Sequence, residues 1–129
     1  MTNPTSIAFA ADGALLIADN GTIRRVAPDG SSISTIYAGA APAQGAYLAV
    51  DPDGSIYFGG SGGGLFAHGL YLLAPGASTA TLLVPYDSAG PVLGSAPAAR
   101  VNDIQALALA GPKQLVVLTA GQIVKVTRP

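Results

Sequence analysis

The chain has 129 residues, a mass of 12.7 kDa and a net charge of −1, with half its residues apolar and 10% charged. That balance excludes a disordered chain, which is polar and highly charged, and no apolar run approaches the roughly 18 residues of a membrane-spanning helix. Six Lys and Arg against seven Asp, with no basic block, exclude strong nucleic-acid binding.

Short apolar runs separated by turn residues predict strands throughout. Ser6–Ala10 leads through Asp12-Gly13, a hairpin signal, into Ala14–Ala18. The turns Asp19-Asn20-Gly21 and Pro28-Asp29-Gly30 then bracket Thr22–Ala27, and Ser32–Tyr37 follows. Further along come Tyr47–Val50, Ser55–Phe58, Leu70–Leu73 and Thr79–Val84. The last group is Ile104–Ala110, Gln114–Thr119 and Gln122–Thr127. No segment keeps a 3.6-residue period between caps. Leu115-Val116-Val117-Leu118 is apolar at every position, which predicts burial on both faces of that strand.

These strands repeat. Thr5–Asp29 aligns without a gap on Gln105–Pro129 at an offset of 100, with Ala8/Ala108, Leu15/Leu115, Ile23/Ile123 and Val26/Val126 identical. A middle copy runs at offset 41, where Asp12-Gly13 meets Asp53-Gly54, and resumes after six extra residues at offset 47. Ile104–Ala110 could be read as helical, but its alignment with Ser6–Ala10 makes it a strand. The chain is therefore one all-β repeat domain, 1–129, of three units, about 3–39, 44–86 and 101–129. Tandem four-stranded units of about 40 residues are the pattern of β-propeller blades. The third unit ends after its third strand and lacks an outer one.

The stretch Asn3–Gly30 resembles an NHL repeat, and Gly94-Ser95-Ala96-Pro97-Ala98-Ala99-Arg100-Val101 is similar to the Gly/Ala-Pro-Ala loops that join blades in bacterial members of that family. The second unit departs from the pattern by its Gly-rich insertion. The third has Pro112-Lys113 where Asp-Gly belongs. The resemblance implies propeller blades and little about function, because the family includes ligand binders, RNA-binding modules and relatives of lactone hydrolases and lyases.

Catalytic sets are scarce. Without Cys there is no thiolate or disulfide, and without Glu any carboxylate chemistry falls to Asp. Asp51 and Asp53 alternate around a Gly as in a calcium loop, but a full loop needs a distal bidentate carboxylate, and Asx side chains close turns by themselves. The single His68 follows a Gly run; a Ser61–His68–Asp set is conceivable chemically but its spacing is uninformative. No Lys follows the Gly run, so it does not form a phosphate loop. Its apolar tip makes Gly63, Gly64, Leu65, Phe66 and His68 the best candidates for touching a partner. Arg24, Arg25 and Lys125 read as a solvated strand edge, and the Tyr residues are too scattered for a base-stacking platform. Lys125, Arg128 and Pro129 are placed to guard the open edge of the last strand.

Three blades do not close a propeller, which takes four to eight, so two apolar faces are left over. The expectation is self-association, first as a dimer of six blades and second as a three-fold, β-prism-like body. With no cofactor called for, the leading functional expectation is a non-enzymatic binding or structural module, in one form a virion decoration or tail-associated protein within a larger assembly. One alternative is a carbohydrate-binding, lectin-like propeller. Another is a lactone hydrolase or lyase holding a metal through Asp19, Asn20, Asn102 and Asp103. Without a basic n-region and apolar h-region the N-terminus does not read as a secretory signal, which leaves a cytoplasmic or virion location open.

Overall fold

The computed structural model describes residues 3–19, 21–39, 46–60, 69–85, 101 and 103–128. All eleven elements there are strands. Blade one comprises β1 (Pro4–Phe9), β2 (Leu15–Asp19), β3 (Thr22–Val26) and β4 (Ile33–Ala38). Blade two comprises β5 (Ala46–Val50), β6 (Ile56–Gly60), β7 (Gly69–Leu73) and β8 (Thr81–Pro85). Blade three has β9 (Ile104–Gly111), β10 (Gln114–Thr119) and β11 (Gln122–Thr127). Each blade is a separate antiparallel meander in chain order. Every strand read from the sequence is present, with ends displaced by no more than two residues. Two-residue displacements occur at the start of β1, at the end of β6 and at the start of β8, where the Pro75-Gly76 turn, closed by Ala77 N–H on Ala74 O at 3.0 Å, precedes the strand.

The first strands of the blades lie side by side, β1 on β5 and β5 on β9. Because side chains alternate across a strand, each blade has two faces. We call the front face the one bearing the equivalents of Ile7, Leu15, Ile17 and Val26. The back face bears the equivalents of Ala8, Leu16, Ala18 and Ile23. Blade two turns its front face to blade one: Leu48, Ile56, Phe58 and Leu73 pack on Leu16, Ala18, Ile23 and Tyr37 of blade one's back face. Its own back face, with Ala49, Tyr57, Leu70 and Val84, packs on Ile104, Leu115 and Val117 of blade three's front face and on Val101. Both interfaces are thus front on back, in the same direction along the chain.

The first interface is built round aromatic rings. Phe58 stacks on Tyr71 with centroids 5.5 Å apart and tilts against Tyr37 at 5.2 Å. The second depends on a close approach: a Cβ on Gly59 would come within 2.6 Å of both Ile104 Cδ1 and the Gly69 carbonyl oxygen. No larger residue fits there without moving blade three outward.

The expectation of two-sided burial for Leu115–Leu118 is corrected. Leu115 and Val117 are buried, but Val116 is half-buried and Leu118 is 40% exposed. Their apolar pattern is that of a blade with neighbours on both sides, and among the described residues blade three has one neighbouring blade.

Pro112-Lys113 makes the same kind of turn as Asp12-Gly13 and Asp53-Gly54, with Lys113 at φ 59° where the others have Gly13 at 86° and Gly54 at 88°. An L-residue in that region costs roughly 1–2 kcal/mol. Lys113→Gly should therefore stabilise the fold by about 1 kcal/mol, an upward shift of about 3 °C in calorimetric Tm. Phe58→Ala should lose about 3–5 kcal/mol by emptying the centre of the first interface, read as a reduced denaturant midpoint.

Candidate partner-binding faces

The two blades at the ends of the stack each keep one face without a neighbour among the described residues. On the front face of blade one, Ile7 is 63% exposed, Phe9 72%, and Ile33 is also exposed. They share that face by register: Ile7 lies opposite Ile17, Phe9 opposite Leu15, Leu15 opposite Val26, and Val26 opposite Ile33. Arg24 lies opposite Ile17 on the same face, and its Nε is buried with no hydrogen-bond partner. On the back face of blade three, Ile123 is 74% exposed and lies opposite Leu118. Val116 continues that face, flanked by Ala108 and Lys125. Five of the six large apolar side chains exposed among the described residues stand on these two faces, and contiguous exposed apolar surface of this kind marks interaction sites.

A polar cluster joins blades two and three at their turn ends. The Asp51 carboxylate, 2% exposed, accepts from the Tyr57 hydroxyl at 3.1 Å and from the Lys113 backbone N–H at 2.8 Å. Tyr57 in turn accepts from Arg128 Nε at 2.8 Å, and Arg128 Nη2 reaches Asp53 at 2.7 Å. Burial pushes the Tyr57 phenol up, which keeps its proton available for Asp51. The Ser55 backbone N–H, at 2.8 Å, and the Arg128 guanidinium hold the Asp53 carboxyl down at about 2. Arg128 N–H also bonds the Lys113 carbonyl at 2.8 Å, so the end of β11 is tied to the turn that carries Asp51's donor.

Blade one carries a simpler counterpart. Arg25 pairs with Asp12, and the Ala14 N–H and that guanidinium together lower the Asp12 carboxyl. The pair stands at the rim of an apolar groove of about 590 Å³ between blades one and two, lined by Leu16, Val50, Ile56 and Leu73. This groove is where the two sheets diverge towards their turns.

The residues singled out from the sequence fall in different places. Gly63, Gly64, Leu65, Phe66 and His68 lie outside the described residues, as do Asn20, Asn102 and Pro129. Asp51 and Asp53 are spent on the inter-blade cluster, and no group of three potential metal-ligating side chains occurs among the described residues. Asp19 accepts the Asn3 backbone N–H at 2.7 Å, and the Asp103 carbonyl accepts from Ala120 N–H. Lys125 is exposed on β11. Arg128 is not stretched along the β11 edge: its guanidinium turns onto blade two. The bonds of Arg128 to Tyr57 and Asp53 leave no signal in the sequence, because they join residues 71 and 75 positions apart whose own repeat units give no hint of pairing. The exposed pair Ile7 and Phe9 had a signal in the sequence, since their repeat equivalents, Leu48 and Val50 in one unit and Leu107 and Leu109 in the other, are all apolar.

The family model for the Teneurin NHL domain matches residues 1–61. Over that span the blades are NHL-repeat-like. The matched span takes in all of blade one and the two inner strands of blade two. No curated protein matches the chain.

The polar cluster makes a pH-dependent contribution. A carboxyl lowered by folding stabilises the fold above its ordinary value, 3.8, and the contribution drains away as pH falls through about 2. Asp53→Asn should thus be less stable than the parent at pH 7, with the gap closing between about pH 4 and pH 2. Parallel denaturant titrations across that range measure the gap directly.

Proposed function

We propose that this chain is a non-enzymatic protein-binding module of NHL-like blades that associates through the open front face of blade one and the open back face of blade three. The observation that carries this reading is the exposure of Ile7, Phe9, Leu118 and Ile123 at positions whose counterparts in the other blades form the inter-blade cores. A surface so apolar on a chain with only 10% charged residues gains by being covered. Each large side chain removed from water contributes about 1.5–3 kcal/mol. The match to the Teneurin NHL domain supports the same class of role, a blade scaffold that binds protein. The carboxylates engaged in bonds within the chain, Asp19, Asp51 and Asp53, do not favour a carbohydrate or lactone site over this reading.

Light scattering on the purified chain should give a mass that is a multiple of 12.7 kDa at micromolar concentration. Phe9→Asp and Ile123→Asp should each weaken that association by roughly tenfold to a hundredfold, the equivalent of one large apolar contact, while leaving the β-sheet circular dichroism intact. A 12.7 kDa particle for the parent chain rules out self-association.

A further inference from the structure

The two interfaces within the chain are built on the same positions of the repeat, so each shows what the other lacks. At the turn end of the second interface the space between the blades is filled. Asp51, Asp53 and Tyr57 come from blade two, and the Lys113 backbone and the Arg128 side chain from blade three. By the repeat offsets the counterparts of these five at the first interface are Ala10, Asp12, Leu16, Gly54 and Pro75. All of them line the groove of about 590 Å³ between blades one and two. The groove is thus the place of the polar cluster with three groups taken away: a phenol ring at Leu16, a carboxylate at Ala10 and a guanidinium at Pro75.

One of the three is supplied from the opposite wall. Arg25, on β3, pairs with Asp12 as Arg128 pairs with Asp53. Its own counterpart in blade two is Leu72. Arg128 serves two carboxylates, Asp53 at 2.7 Å and Asp51 at 3.7 Å, and also donates to the Tyr57 hydroxyl. Arg25 has Asp12 as its one carboxylate partner among the described residues, and its side chain is 34% exposed. The first interface therefore lacks an aromatic ring between its apolar walls and a second carboxylate for its guanidinium.

We infer that the groove between blades one and two binds a small aromatic carboxylate, with the ring between Leu16 and Ile36 on one side and Ile56 and Leu73 on the other, and the carboxylate on the Arg25 guanidinium. The volume lies within the roughly 300–1,000 Å³ of small-molecule pockets, which are apolar with a few polar groups that fix orientation. A guanidinium presents a planar fork of donors that fits a carboxylate. Asp53, also at the rim, has its charge countered by Arg128. The groove lies on the back face of blade one, away from Ile7 and Phe9, so this inference does not depend on self-association.

The probe is 2-naphthoate, followed by its own fluorescence as the chain is added, with 2-naphthylmethylamine as the cationic analogue. Naphthoate should bind saturably, and the amine should bind roughly tenfold more weakly or worse. Arg25→Leu, which installs the residue of the second interface, should weaken naphthoate by roughly tenfold to a hundredfold, the loss of a charge-assisted bond. Leu16→Tyr, which restores the missing ring, should block the site. Phe9→Asp, on the other face of blade one, should leave naphthoate binding unchanged. Absence of saturable binding overturns the inference, as does binding that Arg25→Leu leaves intact, that a folded Leu16→Tyr chain retains or that Phe9→Asp abolishes. An amine that binds as tightly as naphthoate overturns the pairing of a carboxylate with Arg25. Should Leu16→Tyr lose the parent's circular dichroism, the parent chain itself decides: nuclear Overhauser contacts are expected from the naphthyl protons to the methyl groups of Leu16, Ile56 and Leu73, and contacts confined to Ile7 or Ile123 overturn the site.

Discussion

Everything in this molecule rests on one contact repeated twice, a front face laid on a back face. Within a blade the strands are held by backbone hydrogen bonds that any sequence could make. What selects this arrangement is that Leu48, Ile56 and Phe58 leave one side of blade two while Ala49 and Tyr57 leave the other. A sheet apolar on both sides cannot be satisfied by a single partner. Blade two therefore needs both neighbours, and the chain supplies one from each direction. Its β6 strand is buried along its whole length for this reason.

The polar cluster between blades two and three answers a different requirement. Tyr57 is a core residue whose ring fills the second interface, and its hydroxyl would be costly to bury without partners. Asp51 Oδ2 accepts that hydroxyl's proton and Arg128 approaches its lone pairs, while Lys113 N–H donates to the same Asp51 oxygen. Asp53 then balances the guanidinium. The same residues hold the last strand to the preceding blade, so a polar group buried for packing becomes a fastening for the chain's third unit. The two-residue turn at Pro112-Lys113 is part of the same device: the strained Lys113 backbone presents its N–H to Asp51.

The architecture was largely legible in the sequence. Period-two patterning and the Asp-Gly turns placed the strands, and the offsets of 100 and 41 grouped them into blades. Ile104–Gly111 shows why the repeat mattered, since its Ala and Leu content alone suits a helix and only its likeness to the first strand settles the assignment. The partner faces were legible in kind, as leftover apolar surface, but not residue by residue. A pattern such as Leu115–Leu118 records what a strand is suited to touch, not what it touches within one chain. Arg128 illustrates a further limit. Near the terminus, beside a Pro, it reads as an edge guard, and only the path of β11 towards Asp53 and Tyr57 gives it another use. Long-range polar bonds between different repeats leave no periodic trace.

The absence of any side chain on Gly59 has a consequence for how the stack holds its shape. With Ile104 seated directly against the β6 backbone, the distance between the second and third sheets is set by main chain and one methyl group, with no flexible side chain as a spacer. The first junction is spaced instead by the rings of Phe58, Tyr71 and Tyr37. The two junctions of the stack are therefore spaced by different means, backbone against a methyl group in one and ring against ring in the other.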